Sequence, residues 1–260
     1  MQKKPLILVV NDDGYEAKGL EAMVKIAKTF GEVVVVAPDR VRSASGHSIT
    51  MHEPLHVTHY KTEDDIPYWR TNGTPVDCVK LGQKVVLRGR KIDLVLSGIN
   101  HGSNSSVSII YSGTMGAAIE ASFETMAVGI SVLDYSKDPD FTAAVHYGKI
   151  IVEQVLKNGL PPRISLNVNV PKLPLSEIKG MKVTRQTEGY WEEDLEERTD
   201  PQGRKYYWLA GHLVDTDHKE DSCEWALHHQ YVSIQPVQYD LTAYKYMNDV
   251  KYLELEENGK

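Results

Sequence analysis

Three short aliphatic runs constrain this chain more than any other feature: Leu6-Ile-Leu-Val-Val10, Val33-Val-Val-Val-Ala37, and Leu94-Val-Leu96 between Asp93 and Ser97. A strand without polar alternation is buried on both faces, which is the mark of a parallel sheet covered by helices. Between the first two runs Leu20, Met23, Val24 and Ala27 recur at helical spacing, with Gly31 as a stop. That makes a β-α-β unit, whose parallel strands require a right-handed crossover.

The same logic extends along the chain. Leu55 to Tyr60 and Pro67 to Thr71 read as shorter, more exposed strands, and Pro75 to Leu81 as a helix opened by proline. The third buried strand is expected to stop at Gly98-Ile-Asn100. Thr114 to Ala121 is a helix of small residues, Met126 to Val132 a strand, and Phe141 to Leu156 a helix. Ser165 to Val170 alternates and ends at Pro171. After about Leu173 the character changes: Lys182 to Leu209 alternates weakly and carries the acidic run Glu192-Glu-Asp-Leu-Glu-Glu197, a solvated face on a hairpin. Tyr231 to Val237 is a late strand, and Leu241 to Met247 starts a terminal segment. The expected organisation is a core over 1–172, to which the strand at 231–237 returns, with hairpin and C-terminal elements over 173–260.

Composition removes several function classes. A formal net charge of −7 over 260 residues argues against nonspecific binding of a nucleic-acid polymer. Two cysteines, Cys78 and Cys223, are too few for a disulfide framework. The five apolar residues before Asn11 are too short for a signal-peptide core, and no later run spans a bilayer, so a cytoplasmic location with no membrane contact is the expectation. There is no Gly-Lys-Ser/Thr phosphate loop, no Gly-x-Gly-x-x-Gly after the first strand and no Gly-x-Ser-x-Gly elbow. Walker-type ATP hydrolysis, standard nicotinamide binding and esterase chemistry lose support accordingly.

What remains is at the strand tips. The first strand delivers Asp12 and Asp13; the second delivers a loop with Arg40, Arg42, Ser43, Ser45, Gly46, His47 and Ser48; the third delivers Ser97 and Asn100. In an open parallel sheet these carboxyl ends share one edge, where ligands bind. Two carboxylates, an amide and a hydroxyl are hard oxygen donors, suited to Mg²⁺, Mn²⁺ or Ca²⁺ rather than zinc. Asn-Asp-Asp-Gly is also good turn chemistry, but two aspartates at a buried strand end beside a second polar tip favour a cation. Ser112, Gly113 and Thr114 open the helix that follows, and its free N–H groups and positive dipole end form a natural phosphate seat. His47 could act as general acid or touch phosphate, although a lone loop histidine is more often incidental.

At these residues the sequence resembles the SurE family of survival-protein phosphatases. The resemblance rests on Asn11-Asp-Asp-Gly14, Ala37-Pro-Asp-Arg40, Ser43-Ala-Ser-Gly-His-Ser48, Gly73-Thr-Pro-Val-Asp-Cys78, Ser97-Gly-Ile-Asn100 and Tyr111-Ser-Gly-Thr114 with Gly116-Ala-Ala118. It is dense over about the first 135 residues and thin between 175 and 225. Ser222-Cys223, Gln230 and the Ile-Gln-Pro236 ending of the late strand depart from the family pattern, all outside the metal motif. The resemblance implies an α/β fold: a Rossmann-like, mostly parallel sheet with helices on both faces, plus an extended β-hairpin and a C-terminal extension used in a homodimer or tetramer. It implies a metal-dependent phosphomonoesterase acting on nucleoside 5′-monophosphates, with 3′-monophosphates and short polyphosphate as further substrates. One divalent metal per subunit, Mg²⁺ or Mn²⁺, would be held by Asp12, Asp13, Ser43 and Asn100. Asp12, Asp13 and Asn100 would serve catalysis. Asn100, Ser112, Gly113 and Thr114 would hold phosphate, and Asn11, Gly46 and His47 are further candidates for substrate contact. A nucleotide sensor without turnover is the alternative, and a purely structural role for the two aspartates is a third.

Overall fold

The aliphatic runs form the middle of a nine-stranded sheet. The structure is a computed structural model that describes residues 4–254; Met1 to Lys3 at the start of the chain and the last six residues of the C-terminal segment lie outside the described residues. In chain order the elements are β1 (Leu6–Val10), α1 (Lys18–Ala27), β2 (Glu32–Pro38), β3 (Val57–Glu63), β4 (Ile66–Thr71), α2 (Pro75–Leu81), β5 (Leu94–His101), α3 (Gly113–Ala121), β6 (Met126–Val132), α4 (Thr142–Asn158), β7 (Ile164–Val170), β8 (Gly180–Val183), β9 (Gly189–Thr199), β10 (Lys205–Asp215), α5 (Cys223–His228) and β11 (Tyr231–Gln238). The sheet runs β3-β4-β2-β1-β5-β6-β7-β11-β8. From β4 to β7 every pairing is parallel, while β3 on β4 and β11 on β7 are antiparallel.

Every residue of β1 is buried, because both faces of the sheet are covered. Ile7 and Val9 point to the face packed by α1 and α4, among Leu20, Met23, Ile151 and Val155. Leu6, Leu8 and Val10 point to the other face, with Cys78 and Val79 of α2 and Met115 and Ala118 of α3. Each such aliphatic side chain contributes about 1.5–3 kcal/mol on burial. Alternate residues of one short run thus serve two cores, which is why the run tolerates no polar interruption. Thr74 caps α2 through a reciprocal capping box with Asp77, so the proline-opened helix forms where its sequence predicts.

Two elements differ from the sequence expectation. The third buried strand does not stop at Gly98: β5 continues to His101, with a cis Gly98–Ile99 peptide and a register shift against β6 between Gly98 and Asn100. Since Val10 at the end of β1 pairs with Ser97, the last four residues of β5 project past β1, alongside Asn11 to Asp13. The hairpin begins later than Lys182. Lys182 and Val183 belong to β8, which pairs in parallel with β11 at the sheet edge; the ribbon itself is β9 and β10, paired from Gly189↔Asp215 to Thr199↔Lys205. Its turn is closed by Asp200, whose Oδ1 accepts from the N–H groups of Gln202 and Arg204. The acidic run lies on β9 and is exposed throughout. Among the described residues no helix is long and apolar enough to cross a membrane.

Candidate functional site

The overshoot of β5 brings the first and third tips together. Asp12 follows β1 and is 4% exposed. Its Oδ1 accepts a 2.6 Å hydrogen bond from Thr114 Oγ1 in the first turn of α3. Asp13 is oriented by the backbone N–H of His101, 3.4 Å from its Oδ2. Asn100 donates its side-chain N–H to Gly102 O at 2.7 Å, which fixes the amide and leaves its carbonyl oxygen available as a ligand. The loop after β2 is tied to the same tip: Arg42 N–H donates to Asp12 O at 2.7 Å, which places Ser43 beside it.

Asp12, Ser43, Asn100 and Ser112 line one cleft of about 510 Å³. Asp13 stands at its margin beside His101, which does line it. Gly113 packs directly on Asp12: a Cβ there would lie 2.9 Å from Asp12 Cβ and 2.6 Å from Ser45 Oγ. Only glycine lets α3 open this close to the carboxylate.

Burial pushes the Asp12 carboxyl up to about 6, and the neighbouring Asp13 charge pushes the same way. The hydroxyl and backbone N–H of Thr114 lower it, but less than burial raises it. Asp13 is also raised by burial. Two crowded, desolvated carboxylates are an unfavourable pair by themselves, and a divalent cation between them removes that cost. The donor set is all oxygen, from two carboxylates, a hydroxyl and an amide, which fits Mg²⁺ or Mn²⁺.

The other expected contacts separate by position. Ser112 caps α3, its Oγ accepting from Met115 N–H at 3.0 Å. Its own N–H donates to Ile109 O at 3.3 Å, and the Thr114 N–H acts on Asp12. Gly113 N–H is therefore the one of these three without an acceptor among the described residues. Asn11 builds the turn, donating to Gly14 O at 2.9 Å, and is buried. His47 reaches Glu120 Oε2 at 3.0 Å, and Glu120 also takes Lys80. Asn11, Gly46 and His47 do not line the cleft, and of the expected phosphate contacts on α3 only Ser112 does, Gly113 and Thr114 lying behind it against Asp12.

Other cleft residues are not signalled by local sequence. Tyr135 comes from the tip of β6, a fourth strand end on the same edge. Trp191, Glu193 and Leu209 to Gly211 come from the ribbon, which folds back to form the opposite wall. The ribbon is rooted by Trp191 Nε1, which donates to Ser108 Oγ at 3.2 Å, and by Ser106 Oγ, which donates to Thr187 O at 3.0 Å. Cys223, which sequence shows only as one of two cysteines without a disulfide framework, has a place in this root. It is fully buried, and its Sγ accepts from the N–H groups of Ser106 and Thr187 at the same root.

The family model described as survival protein SurE matches residues 7–193. The chain belongs to that family. A protein named 5′-nucleotidase SurE from Christiangramia forsetii is 49% identical over 259 residues, 98% of this chain and 99% of its own. A second, from Flavobacterium johnsoniae, is 49% identical over 97% of this chain and 98% of its own. The crystal structure of the SurE protein from Aquifex aeolicus superposes with a TM-score of 0.83 at 42% identity, over 96% of this chain and all of that one. The SurE assignment thus covers the core, the four strand tips and the ribbon together.

Proposed function

We propose that the chain is a 5′-nucleotidase: a divalent-metal-dependent phosphomonoesterase that hydrolyses nucleoside 5′-monophosphates to nucleoside and phosphate, and also takes 3′-monophosphates and short polyphosphate. One observation carries the reading. Asp12, Ser43, Asn100 and Ser112 converge on one cleft in a chain that is 49% identical, nearly end to end, to proteins named 5′-nucleotidase SurE. Asp12, Asp13, Ser43 and Asn100 would hold one Mg²⁺ or Mn²⁺, which supplies charge neutralisation and polarisation of the phosphoryl group.

The chain's own groups do the rest. Asp12, buried and held by the Thr114 hydroxyl, orients the attacking water and takes its proton. Asn100 and the free Gly113 N–H, at the positive end of α3, stabilise the charge that gathers on the phosphoryl oxygens. Attack by an aspartate to give an aspartyl-phosphate is the competing route, distinguished by trapping of labelled phosphate on the protein. The exposed aromatic ribbon and the C-terminal segment, with Leu241, Tyr244 and Tyr252 exposed, support assembly as a homodimer or tetramer.

The test is phosphate release from nucleoside monophosphates, sugar phosphates and short polyphosphate with Mg²⁺, with Mn²⁺ and with EDTA. Release from nucleotides that EDTA abolishes is expected. Nucleotide binding without release under either metal would overturn the assignment in favour of a sensor.

A further inference from the structure

The outer half of the cleft has a chemistry that the phosphate end does not need. Two aromatic rings stand on it, both anchored. Trp191 is held through its indole N–H on Ser108 Oγ at 3.2 Å. Tyr135 accepts the Ser103 N–H on its hydroxyl at 3.0 Å, and its ring lies against Gly102, which has no side chain to lift it. Glu193 lines the same cleft from the ribbon wall. Successive side chains of a strand alternate faces, so Glu193 shares a face with Trp191. Directly across the ribbon from Glu193 is Gly211, so no opposing side chain covers the carboxylate. Glu192 pairs with His212, Glu196 with Arg198 and Glu197 with Lys205, whereas neither Glu193 nor Asp194 has a side-chain hydrogen bond or ion pair among the described residues; of these two, Glu193 is the one that lines the cleft.

We infer that this half of the cleft seats the substrate's nucleobase, and that Glu193 makes guanine the preferred base. The inference rests on the nucleotidase reading above and adds a specificity to it. Anchored aromatic rings with an unpaired polar group suit a flat heterocycle, which is held by stacking and read along its hydrogen-bonding edge. A carboxylate offers acceptors only. Guanine offers two parallel donors, N1–H and the exocyclic N2–H, which pair with both carboxylate oxygens. Hypoxanthine offers N1–H alone. Adenine and cytosine each set a ring acceptor beside their amino group, so a second carboxylate oxygen meets a lone pair. The expected order is therefore GMP over IMP over AMP and CMP.

The experiment is a comparison of kcat/KM for GMP, IMP, AMP and CMP, each divided by that for ribose 5-phosphate, which carries no base. Measurements use the full-length protein with Mn²⁺. The wild-type GMP:AMP ratio should be about tenfold or more. Glu193→Gln presents one acceptor and one donor, the pattern complementary to adenine, so the preference should swing from GMP toward AMP. A lost structural contact would lower all four together instead. Trp191→Ala should raise KM for every nucleotide by about tenfold and not for ribose 5-phosphate. Equal ratios in the wild type, or a GMP preference that survives Glu193→Gln, would overturn the inference while leaving the nucleotidase assignment intact. Failure of the wild type to release phosphate from any nucleotide would overturn both. Size-exclusion profiles of both variants must match the wild type; a changed ratio that only accompanies altered assembly counts against a direct contact.

Discussion

Replacing Asp12 by asparagine should make the metal-free protein more stable while abolishing its hydrolysis. The Asp12 carboxyl titrates at about 6 in the folded chain against 3.8 ordinarily, chiefly because it is buried. Above about pH 6 both folded and unfolded chains hold it ionised, and the fold bears the full cost of the desolvated charge. Between pH 6 and about 4 the folded chain takes up a proton that the unfolded chain does not, so the cost shrinks as pH falls, and below that it vanishes. The difference between 6 and 3.8 converts to at most about 3 kcal/mol. Asparagine is neutral at every pH, keeps an oxygen for the Thr114 hydroxyl and removes the repulsion from Asp13. The gain should be small at pH 4.5 and reach up to about 3 kcal/mol at pH 7.5, or a Tm rise of up to about 10 °C for a chain of this size. Thermal unfolding followed by circular dichroism in EDTA at the two pH values measures it. Mn²⁺ should then raise the Tm of the wild type and leave that of the variant nearly unmoved. An Asp12→Asn protein no more stable than wild type at pH 7.5 in EDTA, or equally stabilised at both pH values, would refute the argument that burial strains this carboxylate.

Thr114→Val removes the 2.6 Å donor to Asp12 and leaves the backbone N–H, so the carboxyl should titrate higher still. The pH at which Mn²⁺ binding is half-maximal, read by calorimetric titration, should move upward, and no movement would show that the hydroxyl does not tune this group. Gly113→Ala places a Cβ 2.6 Å from Ser45 Oγ and 2.9 Å from Asp12 Cβ, so α3 must withdraw; kcat/KM should fall by about a hundredfold with little change in circular dichroism. Elsewhere, Lys172 at 2.8 Å holds the Asp134 carboxyl well below the usual range. A depressed carboxyl gives stability that is fully present above its unfolded value near 4 and is lost as pH falls through the folded value. Lys172→Met should therefore lower Tm at pH 7, and the deficit should shrink below pH 4; a deficit independent of pH would assign the effect to packing.

How much of this was legible follows from where each signal resides. β1, the Val33 to Ala37 part of β2 and most of β6 are written in their own residues, because a strand buried on both faces is mainly apolar; the one buried hydroxyl of β6, on Ser131, accepts a hydrogen bond from Asn104. The continuation of β5 was hidden, since Gly98-Ile-Asn100 reads locally as an ending and is carried on only by pairing with β6. β8 was absorbed into the hairpin because four residues are too few to show a pattern, and its place is set by β11. Asp12, Ser43, Asn100 and Ser112 were legible as strand-tip and helix-start residues. Ser112 and Thr114 looked equivalent as openers of α3, and only the proximity of Asp12 separates them: one caps the helix, the other holds the carboxylate. Tyr135, Trp191 and Glu193 were not legible as site residues, because nothing near them in sequence says that the ribbon turns back over the tip of β6.

That ribbon has a consequence for how such a chain can diverge. Its two strands pair only with each other, so exchanging a side chain along them costs the central layer nothing. The floor carries reactivity and is locked by packing, while the far wall hangs from a few polar tethers at Ser106, Ser108 and Cys223. A substitution in that wall that spares those tethers changes the lining of the cleft and leaves the strand tips beneath it in place.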